Sequence, residues 1–125
     1  MKLDEEKTAS KIYSGIKSRT KQKNNLNWTR KEFIDWYVSQ DKRCSYCGCN
    51  IEEIKKFYNI TKKQNKRWKR GNSLEIDRKN NEPYSEKNCC LACYWCNNAK
   101  TDVFKVDEFK IIGKAIGEVI KKRIK

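Results

Sequence analysis

The chain has 125 residues, of which 37% are hydrophobic, and its 30 Lys and Arg against 16 Asp and Glu leave a net charge of +14. That length fits one domain with a thin core, and the cationic excess excludes a surface charged for solubility alone, because unbalanced charge repels itself. A polyanionic partner offsets it, since each neutralised phosphate releases condensed counterions. No apolar stretch is long enough for a membrane span or secretory signal, so nucleic acid is expected as partner and no membrane.

Taken in chain order, Ala9, Ile12, Tyr13 and Ile16 recur at helical spacing and predict an N-terminal helix, followed by a basic linker from Lys21 to Asn25. A second helix begins at Thr29, which with Glu32 forms a capping box, and sets Phe33, Trp36 and Tyr37 on one face for core packing. The knuckle Cys44-Ser-Tyr-Cys47-Gly48 precedes a short helix capped by Asn50 and Glu53, with Ile51, Ile54 and Phe57 turned inward. Lys62, Lys63, Lys66, Arg67, Lys69 and Arg70 then surround Trp68 with no acid among them. This run is either a solvated loop or a set of phosphate contacts with an apolar probe for a groove. Leu74 to Asp77 alternates apolar and polar and predicts a strand; a turn follows, then a second strand from Asn88 to Leu91 that closes a hairpin. Cys93 to Lys100 reads as a short helix, and a last helix aligns Phe109, Ile112, Ile116, Val119 and Ile120 on one side.

The seven cysteines argue for metal rather than disulfides, being odd in number on a chain whose charged start fits the reduced cytoplasm of a bacterium or a phage-infected host. Cys44-x-x-Cys47 and Cys93-x-x-Cys96 each present two thiolates to one tetrahedral ion, and together they fill its four positions. Such a Zn²⁺ is structural, and its binding energy counts as folding energy. Cys90 and Cys93 form a competing pair, but Cys90 falls in the expected strand whereas Cys93 and Cys96 fall at the helix start. Cys49 and Cys89 remain as spare buried thiols.

The strings Leu74-Glu-Ile-Asp77-Arg78, Tyr84-Ser-Glu-Lys-Asn88 and Cys93-Tyr-Trp-Cys96-Asn97-Asn-Ala-Lys100 together resemble the HNH, or ββα-metal, nuclease family, in its Asp-Arg (PacI-like) variant. The resemblance runs from about Asn27 to the last helix, so residues 1–25 form an added helix and basic arm before a nuclease domain over 27–125. It implies an α+β fold, a small ββα-metal core with a four-cysteine structural zinc site flanked by N- and C-terminal helices. It further implies a divalent-metal-dependent endonuclease that hydrolyses double-stranded DNA, of restriction, homing or phage type. Asp77 and Asn97 would hold a catalytic Mg²⁺ or Mn²⁺, and Asn88 would brace the hairpin loop. Family members usually follow the Asp with a histidine that activates water; this chain contains no histidine and carries Arg78 there. An arginine cannot serve as a base near neutral pH, but it can clamp a phosphate. Proton removal then falls to Tyr46, as nucleophile or orienting hydroxyl, to Tyr84, or to a lysine-bound or metal-bound water.

DNA contacts are expected from the 62–70 segment and Lys100, with Arg30, Lys31 and Lys121 to Arg123 along the backbone. One active site breaks one strand, and the apolar faces of the end helices leave room for a homodimer. The competing expectation is a catalytically inactive zinc-stapled DNA-binding module. Single-stranded RNA stacked on Trp68 is a third.

Overall fold

The computed structural model describes residues 2–20, 26–64 and 70–125. The expected linker and the side chains of Lys66, Arg67, Trp68 and Lys69 lie outside the described residues. Among the described residues five helices and one hairpin follow in the order α1 (Lys2–Thr20), α2 (Arg30–Ser39), α3 (Ile51–Thr61), β1 (Leu74–Arg78), β2 (Cys89–Cys93), α4 (Tyr94–Lys100) and α5 (Val106–Arg123). The fold is α+β, as the sequence predicts.

Local signals set several boundaries. Thr29 and Glu32 exchange side-chain and backbone hydrogen bonds at the start of α2, and Asn50 and Glu53 do the same for α3. Each box satisfies two backbone donors that a helix start otherwise leaves orphaned. The α1–α2 pair closes over an aromatic cluster in which Trp28 lies 5.1 Å from Phe33 and 4.9 Å from Trp36 between ring centroids. Tyr13 joins it from α1 and donates its phenol to the Trp28 carbonyl at 2.6 Å. Phe33, Trp36 and Tyr37 are therefore core, as expected. Arg30 is occupied structurally: it donates to the Ser10 carbonyl at 2.9 Å and sits over the Tyr13 ring.

The hairpin is antiparallel, pairing Leu74 with Cys93, Glu75 with Ala92, Ile76 with Leu91, Asp77 with Cys90 and Arg78 with Cys89. Side chains alternate along a strand, so Glu75 and Asp77 share one face. The backbone N–H of Ser45 donates to the Leu91 carbonyl at 2.8 Å, which ties the first cysteine knuckle to β2.

The last helix departs from expectation. Its buried face is Phe109, Gly113, Gly117 and Ile120, while Ile112 and Val119 are exposed at 37% and 54%. A Cβ on Gly113 would stand 2.6 Å from the Cβ of Tyr46, and one on Gly117 would stand 2.3 Å from the Cys47 carbonyl oxygen. The helix thus meets the knuckle backbone through two residues without side chains. A hydropathy pattern rotates that face toward its isoleucines and misses the close approach.

Candidate functional site

The four sulfurs of Cys44, Cys47, Cys93 and Cys96 lie within 4.8 Å of one another, and all four residues are buried. Each knuckle is shaped by N–H···S bonds: the amides of Tyr46 and Cys47 point at Cys44 Sγ, and the Cys96 amide points at Cys93 Sγ, all at 3.4 Å. Cys93 ends β2 and caps α4, so one residue serves as strand end, helix cap and thiol donor. A tetrahedral zinc with bonds of about 2.3 Å holds its sulfurs about 3.8 Å apart, and Cys47 and Cys93 stand 3.8 Å apart. The cluster fits zinc in both donor type and span. The close thiols also titrate together: hydrogen bonding from Cys44 holds the Cys47 thiol far below its ordinary value, whereas Cys93 and Cys96 are pushed up by the same neighbours. Cys49 and Cys89 are buried outside the cluster.

The second centre lies where α4 crosses the hairpin. Asp77 is buried, and the Tyr46 phenol donates to its Oδ2 at 2.5 Å. Lys100 Nζ stands 3.5 Å from the same oxygen and donates to the Arg78 carbonyl at 3.2 Å. The Cys90 thiol, directly across the hairpin from Asp77, is 3.5 Å from the phenol oxygen. Burial, then the bond to Asp77, pushes the Tyr46 phenol far above its usual value, so it stands as a proton donor to the carboxylate. One turn back on α4, Asn97 donates its amide nitrogen to Glu75 Oε1 at 3.0 Å. Arg70 grips both oxygens of Glu75, one of them from Nε at 2.9 Å.

The sequence-derived residues therefore fall into groups. Asp77, Tyr46 and Lys100 meet; Asn97 lies on the same helix face as Lys100, but its bond goes to Glu75 rather than to Asp77. Arg78 points elsewhere, its guanidinium 4.9 Å from the Tyr84 ring centre. Asn88 donates to the Glu82 and Pro83 carbonyls at 2.8 and 3.2 Å and so ties down the hairpin loop. Lys62 and Lys63 are exposed beyond α3, and Arg70 is exposed but paired with Glu75. Lys100, expected among the DNA contacts, has a side chain only 3% exposed, with its ammonium held between Asp77 and the Arg78 carbonyl. Sequence reasoning passed over Glu75, although its place two residues before Asp77 puts it on the same strand face. Beside Glu75 and Asn97 a cavity of about 600 Å³ opens toward α1, where Lys11, Gly15 and Arg19 line it.

A hairpin runs into a short helix, a strand carboxylate faces that helix and a four-cysteine cluster sits at their junction, in a chain whose fold matches that of an HNH-type nuclease. The chain is related to such nucleases through the rare-cutting HNH restriction endonuclease PacI. The likeness to PacI has a TM-score of 0.72 at 26% identity, and covers 90% of this chain and 78% of the PacI chain. No family model matches the sequence, and no curated protein matches it.

Proposed function

We propose that the chain is a divalent-metal-dependent endonuclease that hydrolyses phosphodiester bonds of double-stranded DNA. The observation that carries this reading is the meeting of Tyr46, Asp77 and Lys100 at the end of β1, with Asn97 one turn before Lys100 on α4, in a chain with a fold like that of a DNA endonuclease. Asp77 and Asn97 offer a carboxylate and an amide, hard oxygen donors that leave room for water and a phosphate oxygen, as Mg²⁺ or Mn²⁺ prefers. The contacts of Tyr46, Lys100 and Cys90 with Asp77 all fall on Oδ2, so Oδ1 is the oxygen left to present. A divalent ion held by these two residues would supply positive charge for the scissile phosphate and the leaving 3′ oxygen.

The protein's own groups do the rest. Tyr46 fixes the rotation of the Asp77 carboxylate by donating to it, and Lys100 balances its buried charge. Arg78, at the strand end and resting over the Tyr84 ring, is the cation that would clamp the phosphate and meet its growing negative charge. Cys44, Cys47, Cys93 and Cys96 hold a structural Zn²⁺ whose filled sphere leaves no place for substrate. Lys62, Lys63 and the Lys66, Arg67, Trp68, Lys69 and Arg70 run follow the DNA backbone. A homodimer would supply the second site needed to cut both strands, in the cytosol of a bacterium or phage-infected host.

The test is incubation of purified protein with supercoiled plasmid in Mg²⁺, in Mn²⁺ and in EDTA. Metal-dependent linear or nicked product that Asp77→Ala abolishes, with DNA binding retained, is the expected result. Intact plasmid with every metal beside a clean gel shift would instead identify a binding module whose base was lost with the missing histidine.

A further inference from the structure

We propose that Glu75 is a positioning residue that fixes which end of the Asn97 amide is presented to the metal, with Arg70 holding Glu75 in place; this rests on the reading of Asp77 and Asn97 as the metal pair. An asparagine amide carries a donor nitrogen and an acceptor oxygen on one rotating group, and only the oxygen can ligate a hard cation. Left alone, the group turns freely between the two. Here its nitrogen donates to Glu75 Oε1 at 3.0 Å. The reversed amide would set oxygen against carboxylate oxygen, so the chemistry of Glu75 selects one orientation and leaves the Asn97 oxygen unspent among the described residues.

Glu75 is itself fixed. Arg70 meets both of its oxygens in a fork, and the guanidinium stacks on the Tyr94 ring with its carbon 4.7 Å from the ring centre. Tyr94 opens α4, the helix that carries Asn97. The relay Tyr94–Arg70–Glu75–Asn97 therefore closes on the helix whose side chain it orients. It also joins the candidate metal centre to the basic segment, of which Arg70 is the final cation.

The experiment is calorimetric titration of Mn²⁺ into the full zinc-loaded chain, without DNA. Glu75→Gln and Glu75→Leu remove the same charge, but only glutamine keeps an oxygen to accept the Asn97 amide. Glu75→Leu is expected to weaken Mn²⁺ binding tenfold or more, by about the loss seen when groups that orient metal ligands are removed, and Glu75→Gln to stay within about twofold. In an Asn97→Asp background the Glu75→Leu change is expected to cost nothing, because a carboxylate presents oxygen from either end. Equal losses in the Gln and Leu variants would mean that charge alone matters and overturn the proposal. So would a Glu75→Leu loss of the same size in the Asn97→Asp background. Asp77→Ala separates the two levels of the argument: if it leaves Mn²⁺ binding intact, the metal pair itself is wrong and the relay falls with it. If it abolishes binding while Glu75→Leu does not weaken it, the relay alone falls. Zinc content and far-UV circular dichroism of each variant establish that the fold is kept.

Discussion

Two side chains at the second centre are unusual for where they sit. Lys100 and Asp77 are 3% and 7% exposed, and each is the other's compensation. Removing one partner of a buried pair strands the other charge away from water, so Lys100→Ala is expected to cost about 3 kcal/mol of stability, read as a lower midpoint in urea. Tyr46→Phe deletes one hydrogen bond to a charged acceptor while keeping the ring against Phe109. Its stability loss should be about 2 kcal/mol, and plasmid cleavage should fall out of proportion to that loss, because the carboxylate is no longer held in one rotation. The lysine shows how far sequence reaches at this scale. A cation in a basic chain reads as a phosphate contact, and nothing in its own neighbours reveals that a carboxylate on β1 lies under it. The cysteines were readable for the opposite reason: two short-range pairs specify one tetrahedral ion whatever the path between them.

At the scale of elements, the starts of α2 and α3 were legible because a capping box is complete within four residues. The packing face of α5 was not, because glycine enters a pattern as a weak helix former rather than as a contact. The two kinds of helical glycine can be separated by experiment. Gly117→Ala pushes a methyl into the Cys47 carbonyl, a backbone atom that cannot move aside, and should destabilise by about 2 kcal/mol or more. Gly15→Ala on α1 meets only the end of the Arg19 side chain at 3.4 Å. It should stabilise by about 0.5–1 kcal/mol through helix propensity. Thermal melts of the two variants should therefore move in opposite directions. The same helix α1 lines the cavity beside Asn97 with Lys11 and Arg19. If DNA runs there, Lys11→Ala and Arg19→Ala should each lower the slope of log affinity against log salt by about 1, with no change in sequence preference.

For the whole molecule, the hairpin, the five helices among the described residues and the four-cysteine centre followed from the residues, whereas the end of β2, expected at Leu91 and found at Cys93, its register on β1, and the way α1 and α5 are seated did not. Seating depends on contacts between distant segments: the Tyr13 phenol on Trp28, and the α5 glycines on the knuckle. The first knuckle, β2, α4 and α5 meet at the four-cysteine cluster, so they should lose their structure as a unit. Stripping zinc with a strong chelator is expected to remove helical circular dichroism and Trp burial in one transition, and zinc readdition to restore both.

Cys93 has a wider reach than its place in the four-cysteine cluster suggests. It stands three rungs along the hairpin from Cys90, which faces Asp77, a span of about 10 Å at the rise of a strand. A strand that slips by one residue turns every side chain to the other face. β2 reads Cys-Cys-Leu-Ala-Cys, so a slipped version would still bury small apolar groups and set a thiol near Asp77. Hydrophobicity alone discriminates poorly between those alignments. A zinc ion would discriminate, because only one alignment delivers the Cys93 sulfur to its three companions. The ion would then act as the reading-frame marker of the hairpin, setting by covalent arithmetic which residue of β2 lies opposite Asp77.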